Sequence, residues 1–317
     1  GFVVFHYDMI GYADSQAIPH REGFKDVQAE LRLQSFMGLQ TWNSIRALDF
    51  LESLPDVDPK RIGVTGASGG GTQTFILCAI DDRPAAAFPA VMVSTAMQGG
   101  CVCENCSYLR VGTGNIELAG LFAPKPLAMS GANDWTREIL TKGLPELKQL
   151  YRLYGQEENV AAEAWLNFPH NYSRPSREFM YSWFAKHLLG KTGPVQEQPY
   201  VAIPPKELSV FDTNHPRPAD ELAAEPLRKE MARRSDAQIA ALAPTDAKSL
   251  AEFRWIIGTA LRVLLQDRWP ATVEVRQGPE TTEIAKYSRE FWIIGRPGEG
   301  DAVPVARWKP RAEKVKQ

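Results

Sequence analysis

The feature that most constrains the fold is a glycine-rich turn at residues 66–70, which reads Gly-Ala-Ser-Gly-Gly and matches the pattern Gly-x-Ser-x-Gly. The apolar run at residues 62–65 predicts a buried strand before it, and residues 72–80 predict a helix after it. A serine on such a turn has a strained backbone, and flanking glycines avoid the clash that a Cβ atom would make. The helix N-terminus favours negative charge near the serine. Ser68 is therefore a candidate nucleophile.

A glycine-rich turn between a strand and a helix can also bind phosphate or simply join the two elements. However, the pattern Gly-x-x-x-x-Gly-Lys-[Ser/Thr] is absent, and no acidic residue lies where a dinucleotide-binding fold requires one. The strand–turn–helix context therefore favours the nucleophile.

Strand-like and helical patterns alternate along the first three-fifths of the chain. The predicted strands are residues 1–8, 62–65, 86–93, 126–131 and 162–168. Helices are predicted at residues 30–54, 72–80 and 144–154, and a last one has Pro175 in its first turn and ends at Gly190. This alternation predicts an α/β fold, in which helices cover both faces of a parallel sheet.

The pattern divides the chain into three parts. Residues 1–192 form the α/β domain, and residues 193–232 are rich in proline and lack periodicity, which indicates a linker. Residues 233–317 form a smaller α+β segment. It contains a helix that Thr245 can cap and strands at residues 272–276, 290–295 and 302–308.

The composition narrows the classes of partner. The chain is 44% apolar and 23% charged, as is ordinary for a globular protein. A net charge of -2 gives no reason to expect nucleic acid or an anionic membrane as a partner, and no apolar run is long enough to span a bilayer. We therefore expect no nucleic-acid or membrane partner.

Three residues in chain order form a candidate catalytic set. A serine hydroxyl needs a base to remove its proton, and the base needs an acid to orient it. Ser68, Asp134 and His170 each follow a predicted strand, so all three are expected at one edge of the same sheet. Glu138 and Asp82 are competing acids.

Residues 1–189 resemble α/β-hydrolases of the acetyl xylan esterase and dienelactone hydrolase-like kind, which use the chain order Ser, Asp, His. The matching segments are residues 7–15, 58–63, 66–70, 133–135 and 168–170. The resemblance implies a serine carboxylesterase in which Ser68 is the nucleophile, His170 the general base and acid, and Asp134 the orienting carboxylate. The Gly69 N–H would be one oxyanion donor.

The same resemblance implies a small-molecule or carbohydrate ester as substrate, with an acetyl group as the acyl part, and no metal or organic cofactor. It also implies a secreted or periplasmic protein, although the chain shows no signal peptide. Two alternatives remain open: a serine peptidase of the prolyl oligopeptidase type, and a non-catalytic binding module.

The chain departs from this fold at its front. In that fold, three strands and the oxyanion-hole loop precede the strand that matches residues 1–8. This chain has none of them before residue 1, so we expect it to be a fragment of a longer protein. Residues 290–295 and 301–305 resemble the opening strands of a second α/β-hydrolase module. A tandem arrangement is therefore expected, with a permuted fold as the rarer alternative.

An insertion between residues 94 and 122 contains further candidate residues. Cys101, Cys103 and Cys106 have no second cysteine pair and no histidine nearby in sequence, so we predict no metal site. Loop packing, or a Cys101–Cys106 bridge in an exported protein, fits them better. Glu104 and Arg110 are expected either to line a substrate pocket or to form a supporting salt bridge. Trp135 fits an aromatic wall of the pocket and the core equally well.

Overall fold

The computed structural model describes residues 2–95, 99–265, 270–278, 282–284 and 286–310. Contacts divide the chain into two compact units, Gly1–Ala240 and Ala241–Gln317. The predicted domain boundaries at residues 192 and 232 stay a prediction. Residues 96–98 of the predicted insertion lie outside the described residues.

Four parallel strands form the sheet of the first unit: β1 (Gly63–Ala67), β2 (Ala86–Ala90), β3 (Leu127–Ala132) and β4 (Val160–Trp165). Each strand pairs with the next one along the chain, in the order β1-β2-β3-β4. Parallel neighbours require a crossover connection, which helices provide here. The predicted α/β architecture is confirmed.

Helices pack on both faces of this sheet. The helices in this part of the chain are α1 (Val27–Leu31), α2 (Phe36–Ser53), α3 (Gly69–Ile80), α4 (Asn115–Gly120), α5 (Leu144–Leu153) and α6 (Arg174–Leu189). The largest core contains Phe75 from α3, Met129 from β3 and Tyr151 from α5. A second core joins Trp183 and Phe184 of α6 to Phe88 of β2. Burying each such side chain stabilises the fold by about 1.5–3 kcal/mol.

The helix predicted at residues 30–54 is interrupted. Leu33 has a positive φ of 54°, and the Ser35 side chain accepts a hydrogen bond from the Gly38 N–H at 2.9 Å, which starts α2 anew. The apolar periodicity continues through this break, so a pattern of hydrophobic residues does not reveal it.

The strand predicted at residues 1–8 is wrong. Residues 2–8 pair with no strand in the described part of the chain, and Val4 is 83% exposed. β1 is an edge strand with a free side, but residues 2–8 do not pair with it and remain outside the sheet. A continuous apolar run therefore predicts a buried strand only where the run pairs with a neighbour.

Helix α7 (Ala224–Ala241) begins inside the predicted linker, and its contacts lie within the first unit. Its residues Ala224, Leu227 and Met231 contact the apolar cluster that contains Ile18 and Phe24. The Arg228 guanidinium pairs with Asp26 and lowers the pKa of that carboxyl to about 2.

The second unit combines helix α8 (Ala247–Leu265) with an antiparallel sheet. Its strands are β5 (Glu274–Gln277), β6 (Thr282–Ile284), β7 (Tyr287–Gly295) and β8 (Val303–Pro310). β7 pairs with each of the other three. Asp246, not the predicted Thr245, accepts the capping hydrogen bond, from the Ser249 N–H at 2.7 Å. That the unit opens a second hydrolase-like module stays a prediction.

Within the described residues, no helix combines the length and the apolar character that a bilayer crossing requires.

Candidate active site

Ser68 occupies the turn between β1 and α3 in a strained conformation. Its φ is 56° and its ψ is -121°, which a residue with a side chain rarely adopts. The Ser68 N–H donates to the Ala90 carbonyl oxygen at 3.1 Å, which ties the turn to β2. The hydroxyl makes no capping hydrogen bond to α3. The turn therefore holds the backbone firmly and leaves the hydroxyl free of the helix.

The glycines around Ser68 are not equally necessary. A Cβ atom on Gly66 would lie 2.5 Å from the Gly70 carbonyl oxygen, which is a severe clash. A Cβ on Gly70 would meet nothing within 4 Å, so the expectation that both flanking glycines avoid a clash is wrong at Gly70. The second close approach is at Gly71 instead, where a Cβ would lie 2.8 Å from the Met92 Cβ.

Asp134 and His170 form a hydrogen-bonded pair. The His170 Nδ1 lies 2.6 Å from the Asp134 Oδ2. Because an ionised carboxylate only accepts hydrogen bonds, the imidazole donates through Nδ1, and its Nε2 then presents a lone pair. The Asp134 side chain is 5% exposed and that of His170 31% exposed. The pair thus has a buried acid and an accessible base.

Thr136 fixes the second oxygen of this carboxylate, and the sequence analysis did not identify it. Its N–H donates to the Asp134 Oδ1 at 2.7 Å and its hydroxyl donates to the same oxygen. The threonine oxygen also accepts from the Ala132 N–H at 3.0 Å. The signal in the sequence is Asp-x-Thr directly after a strand, which is typical of an Asx turn. The competing acid Glu138 pairs with Lys142 instead.

The loops after β3 and β4 are joined around this pair. The Asn133 N–H donates to the Phe168 carbonyl oxygen at 2.9 Å. The Trp135 ring lies 4.4 Å from the His170 ring, between centroids, and packs against the larger core. Trp135 therefore supports the imidazole from one side, while its predicted place in a substrate pocket stays a prediction.

All three candidate residues follow parallel strands at their carboxyl ends: Ser68 after β1, Asp134 after β3 and His170 after β4. The structure brings Asp134 and His170 together. No hydrogen bond joins the Ser68 hydroxyl to His170 among the described residues. Catalytic hydrogen bonds are often long until substrate binds.

Glu104 lies beside the Ser68 turn. Its side chain is almost fully buried, and its Oε2 accepts hydrogen bonds from the N–H groups of Gly100 (2.8 Å) and Cys101 (3.0 Å). Its Oε1 lies 3.6 Å from the position that a Cβ on Gly69 would occupy. Glu104 therefore holds the insertion in place next to the predicted oxyanion donor. Its role as a pocket residue stays a prediction.

Arg110 also holds the insertion, although not through the predicted salt bridge with the Glu104 carboxylate. It donates to the Glu104 main-chain oxygen, to the Asn105 side chain, and to the Asn115 Oδ1 at 3.0 Å. Burial lowers the pKa of Arg110 from its ordinary value. As with Glu104, its predicted place in a substrate pocket stays a prediction.

The cysteines of the insertion are free, so the Cys101–Cys106 bridge is not formed. No histidine is near them in sequence, but one lies near them in the structure. His20 comes from a loop 81 positions earlier, and its Nε2 lies 3.5 Å from the Cys101 Sγ. With Cys103, these residues place three ligand-type atoms within 4.8 Å of one another.

Comparison with known proteins agrees with this fold. The family model for acetyl xylan esterase (AXE1) matches residues 40–95, which include the Ser68 turn. The protein YtaP of Bacillus subtilis (strain 168), a provisionally named hydrolase, is 35% identical over 83 residues, or 26% of this chain and 27% of YtaP.

Among solved structures, Methylesterase BT1017 is 28% identical with a TM-score of 0.55 and is matched over 78% of this chain and 53% of its own. A carbohydrate esterase family 15 glucuronoyl esterase from Caldicellulosiruptor kristjansonii is 16% identical over 57% of this chain and 58% of its own. Its TM-score is only 0.43, which is too low to support an inference. The chain spans about a quarter of YtaP and about half of the methylesterase. The chain is similar to α/β-hydrolases of the acetyl xylan esterase kind, as its sequence predicted.

Proposed function

We propose that this chain carries the catalytic centre of a serine esterase that removes an acetyl group from a carbohydrate ester. The observation that carries the proposal is the Asp134–His170 hydrogen bond of 2.6 Å, on the sheet edge that also holds Ser68 in its strained turn. A scaffold without chemistry has no need of a strained serine or of an imidazole oriented by a buried carboxylate.

The proposed reaction is acyl transfer. The Ser68 Oγ attacks the ester carbonyl carbon while its proton passes to the His170 Nε2, and Asp134 stabilises the imidazolium that forms. The Gly69 N–H, in the first turn of α3 where N–H groups lack helical partners, donates to the developing oxyanion. His170 then protonates the leaving alcohol, and water activated by His170 hydrolyses the acyl-enzyme.

The substrate class rests on similarity. The acetyl xylan esterase match supports an acetylated sugar, and it covers the turn that carries Ser68. The similarity to a methylesterase makes a methyl ester the comparison substrate of choice. A higher kcat/KM on acetylated xylan than on methyl esters of uronic acids would support the acetyl assignment, and the reverse order would contradict it.

The test of the mechanism is covalent labelling of the 317-residue chain by a fluorophosphonate, together with hydrolysis of p-nitrophenyl acetate. We expect stoichiometric labelling, abolished in Ser68→Ala and retained in the control Ser53→Ala, which changes an exposed serine at the end of α2. Loss of the nucleophile should lower kcat by about 10⁶-fold, as in other serine hydrolases.

Two outcomes would contradict the proposal. A folded chain that neither reacts with the fluorophosphonate nor hydrolyses any ester would indicate a binding module. Efficient cleavage of peptide amides, with little cleavage of esters, would indicate the peptidase alternative.

A further inference from the structure

A histidine and two cysteines from distant parts of the chain converge beside the Ser68 turn. We propose that His20, Cys101 and Cys103 form a binding site for a thiophilic divalent cation, with Zn²⁺ as the best fit. Imidazole nitrogen and cysteine sulfur are the ligands that Zn²⁺ prefers. The proposal does not depend on the esterase mechanism.

The distance between His20 and Cys101 fits a tetrahedral ion, and Cys103 lies close enough to complete the set. The three ligand atoms lie within 4.8 Å of one another, and the His20 Nε2 is 3.5 Å from the Cys101 Sγ. With Zn–N of about 2.0–2.1 Å and Zn–S of about 2.3 Å, a tetrahedral centre separates a nitrogen from a sulfur by about 3.6 Å. An ion therefore fits between these two atoms with little movement of either residue.

The imidazole is already oriented as a ligand. The His20 Nδ1 lies 2.8 Å from the Ile10 main-chain oxygen, which can only accept a hydrogen bond. Nδ1 therefore carries the proton, and Nε2 presents its lone pair toward Cys101. A metal-binding histidine almost always donates its other ring N–H to such a carbonyl or carboxylate oxygen. The Phe36 ring, 5.0 Å from the imidazole between centroids, supports the same orientation.

The surroundings are those of an enclosed site. Cys103 is 6% exposed and belongs to an apolar cluster with Ile10, Phe24 and Phe36. The Cys103 Sγ also lies 3.6 Å from the position that a Cβ on Gly69 would occupy, so the site is adjacent to the Ser68 turn. A bound ion would tie the loop at His20 to the insertion at this point.

Three protein ligands leave one position of a tetrahedral ion open, which a water molecule would occupy. The Glu104 carboxylate lies on the same side of Gly69, but its Oε2 is committed to the N–H groups of Gly100 and Cys101. The structure assigns His20, Cys101 and Cys103 as the protein ligands and Glu104 as a support for the loop that carries two of them.

The experiment uses the full chain, reduced with a phosphine, freed of metal with a chelator and titrated with Zn²⁺ by calorimetry. We expect one ion per chain with a dissociation constant below about 1 μM. Titration with Co²⁺ should produce thiolate-to-metal charge-transfer absorption, which reports sulfur ligands directly.

Variants then identify the ligands. Cys101→Ser, Cys103→Ser and His20→Ala should each weaken Zn²⁺ binding by at least about 100-fold, because loss of a ligand costs more than the 10–100-fold effect of losing a residue that only hydrogen-bonds to a ligand. The matched control is Cys106→Ser, which removes the third thiol of the insertion and should bind as the unaltered chain does. Circular dichroism of each variant shows whether it folds. If a variant does not fold, binding and stoichiometry are still measured on the unaltered chain.

Absence of stoichiometric Zn²⁺ binding by the reduced, folded chain would overturn the proposal. So would binding that survives Cys101→Ser but is lost in Cys106→Ser, because the ligands would then lie elsewhere. A Co²⁺ spectrum without thiolate absorption would also reject the site as assigned.

Discussion

Two neighbouring regions of the molecule are positioned in different ways. One is the sheet edge that carries Ser68, Asp134 and His170, and the other is the insertion that carries Cys103 and Glu104. Each residue of the sheet edge directly follows a strand or lies in the short loop after it. The insertion is held by hydrogen bonds within itself and by contacts to residues far away in sequence. One region is positioned by the backbone ladder of the sheet, and the other by particular side chains.

The two regions can be compared by the same chemical change, from carboxylate to amide. Asp134→Asn should lower kcat by about 10⁴-fold, because an amide that donates to the imidazole forces the His170 tautomer whose Nε2 carries the proton. The measurement is kcat for hydrolysis of p-nitrophenyl acetate by the purified, folded variant. A kcat within tenfold of the unaltered chain would show that Asp134 does not orient the base.

The Ser68 turn offers the next largest effect. Gly66→Ala should destabilise the fold by about 1–3 kcal/mol and slow fluorophosphonate labelling, because its Cβ would lie 2.5 Å from the Gly70 carbonyl oxygen. The matched control Gly70→Ala has open space, so its stability should be unchanged or higher by about 0.5–1 kcal/mol. Urea unfolding measures both variants, and equal losses would contradict the assignment of the close contact to Gly66.

Glu104→Gln is the counterpart of Asp134→Asn in the insertion. Replacing a charged acceptor of two N–H groups by a neutral one should cost about 1 kcal/mol and lower the thermal midpoint by about 2–4 °C. We expect kcat to stay within about tenfold, or about 1.4 kcal/mol. A loss of kcat as large as that of Asp134→Asn would show that Glu104 participates in the chemistry and would erase the distinction between the two regions.

Two histidines in different surroundings allow a prediction of how stability depends on pH. His170 is paired with a carboxylate at the sheet edge, whereas His187 of α6 packs against the Trp183 ring, 4.1 Å away between centroids. Burial, aided by the nearby charge of Lys186, lowers the pKa of His187 to about 4 from 6.5.

Between pH 6.5 and pH 4 the unfolded state of this group binds a proton and the folded state does not, so its contribution to stability is complete above pH 6.5 and is lost as the pH falls. The free energy of unfolding should fall by about 1 kcal/mol over this range. This is less than the pKa difference alone would give, because the ring is partly exposed to solvent. Urea unfolding from pH 7 to pH 4.5 should therefore depend less on pH in His187→Gln than in the unaltered chain. Parallel pH profiles would contradict this.

The different construction of the two regions also explains which features could be predicted from the sequence and which could not. The β1–β4 strands, the Ser68 turn and the Asp134–His170 pairing follow from local patterns, because strand ends and chain order place those residues. The approach of His20 to Cys101 spans 81 positions, and no local pattern encodes it. The strand predicted over residues 2–8 is wrong for a related reason, because burial of an apolar run depends on pairing with a neighbour that periodicity does not reveal, and residues 2–6 are exposed.

The sequential order of the sheet has a consequence for how the chain folds. Each strand pairs with the strand that precedes it in the chain, so no strand has to wait for a later one to be synthesised. The α/β unit can therefore assemble from β1 toward β4 during synthesis. The serine turn would then form early, and the histidine would arrive with the last strand. Nascent chains halted before β4 should therefore show protected amides in β1 and β2 by hydrogen-exchange labelling, while remaining unable to react with a fluorophosphonate.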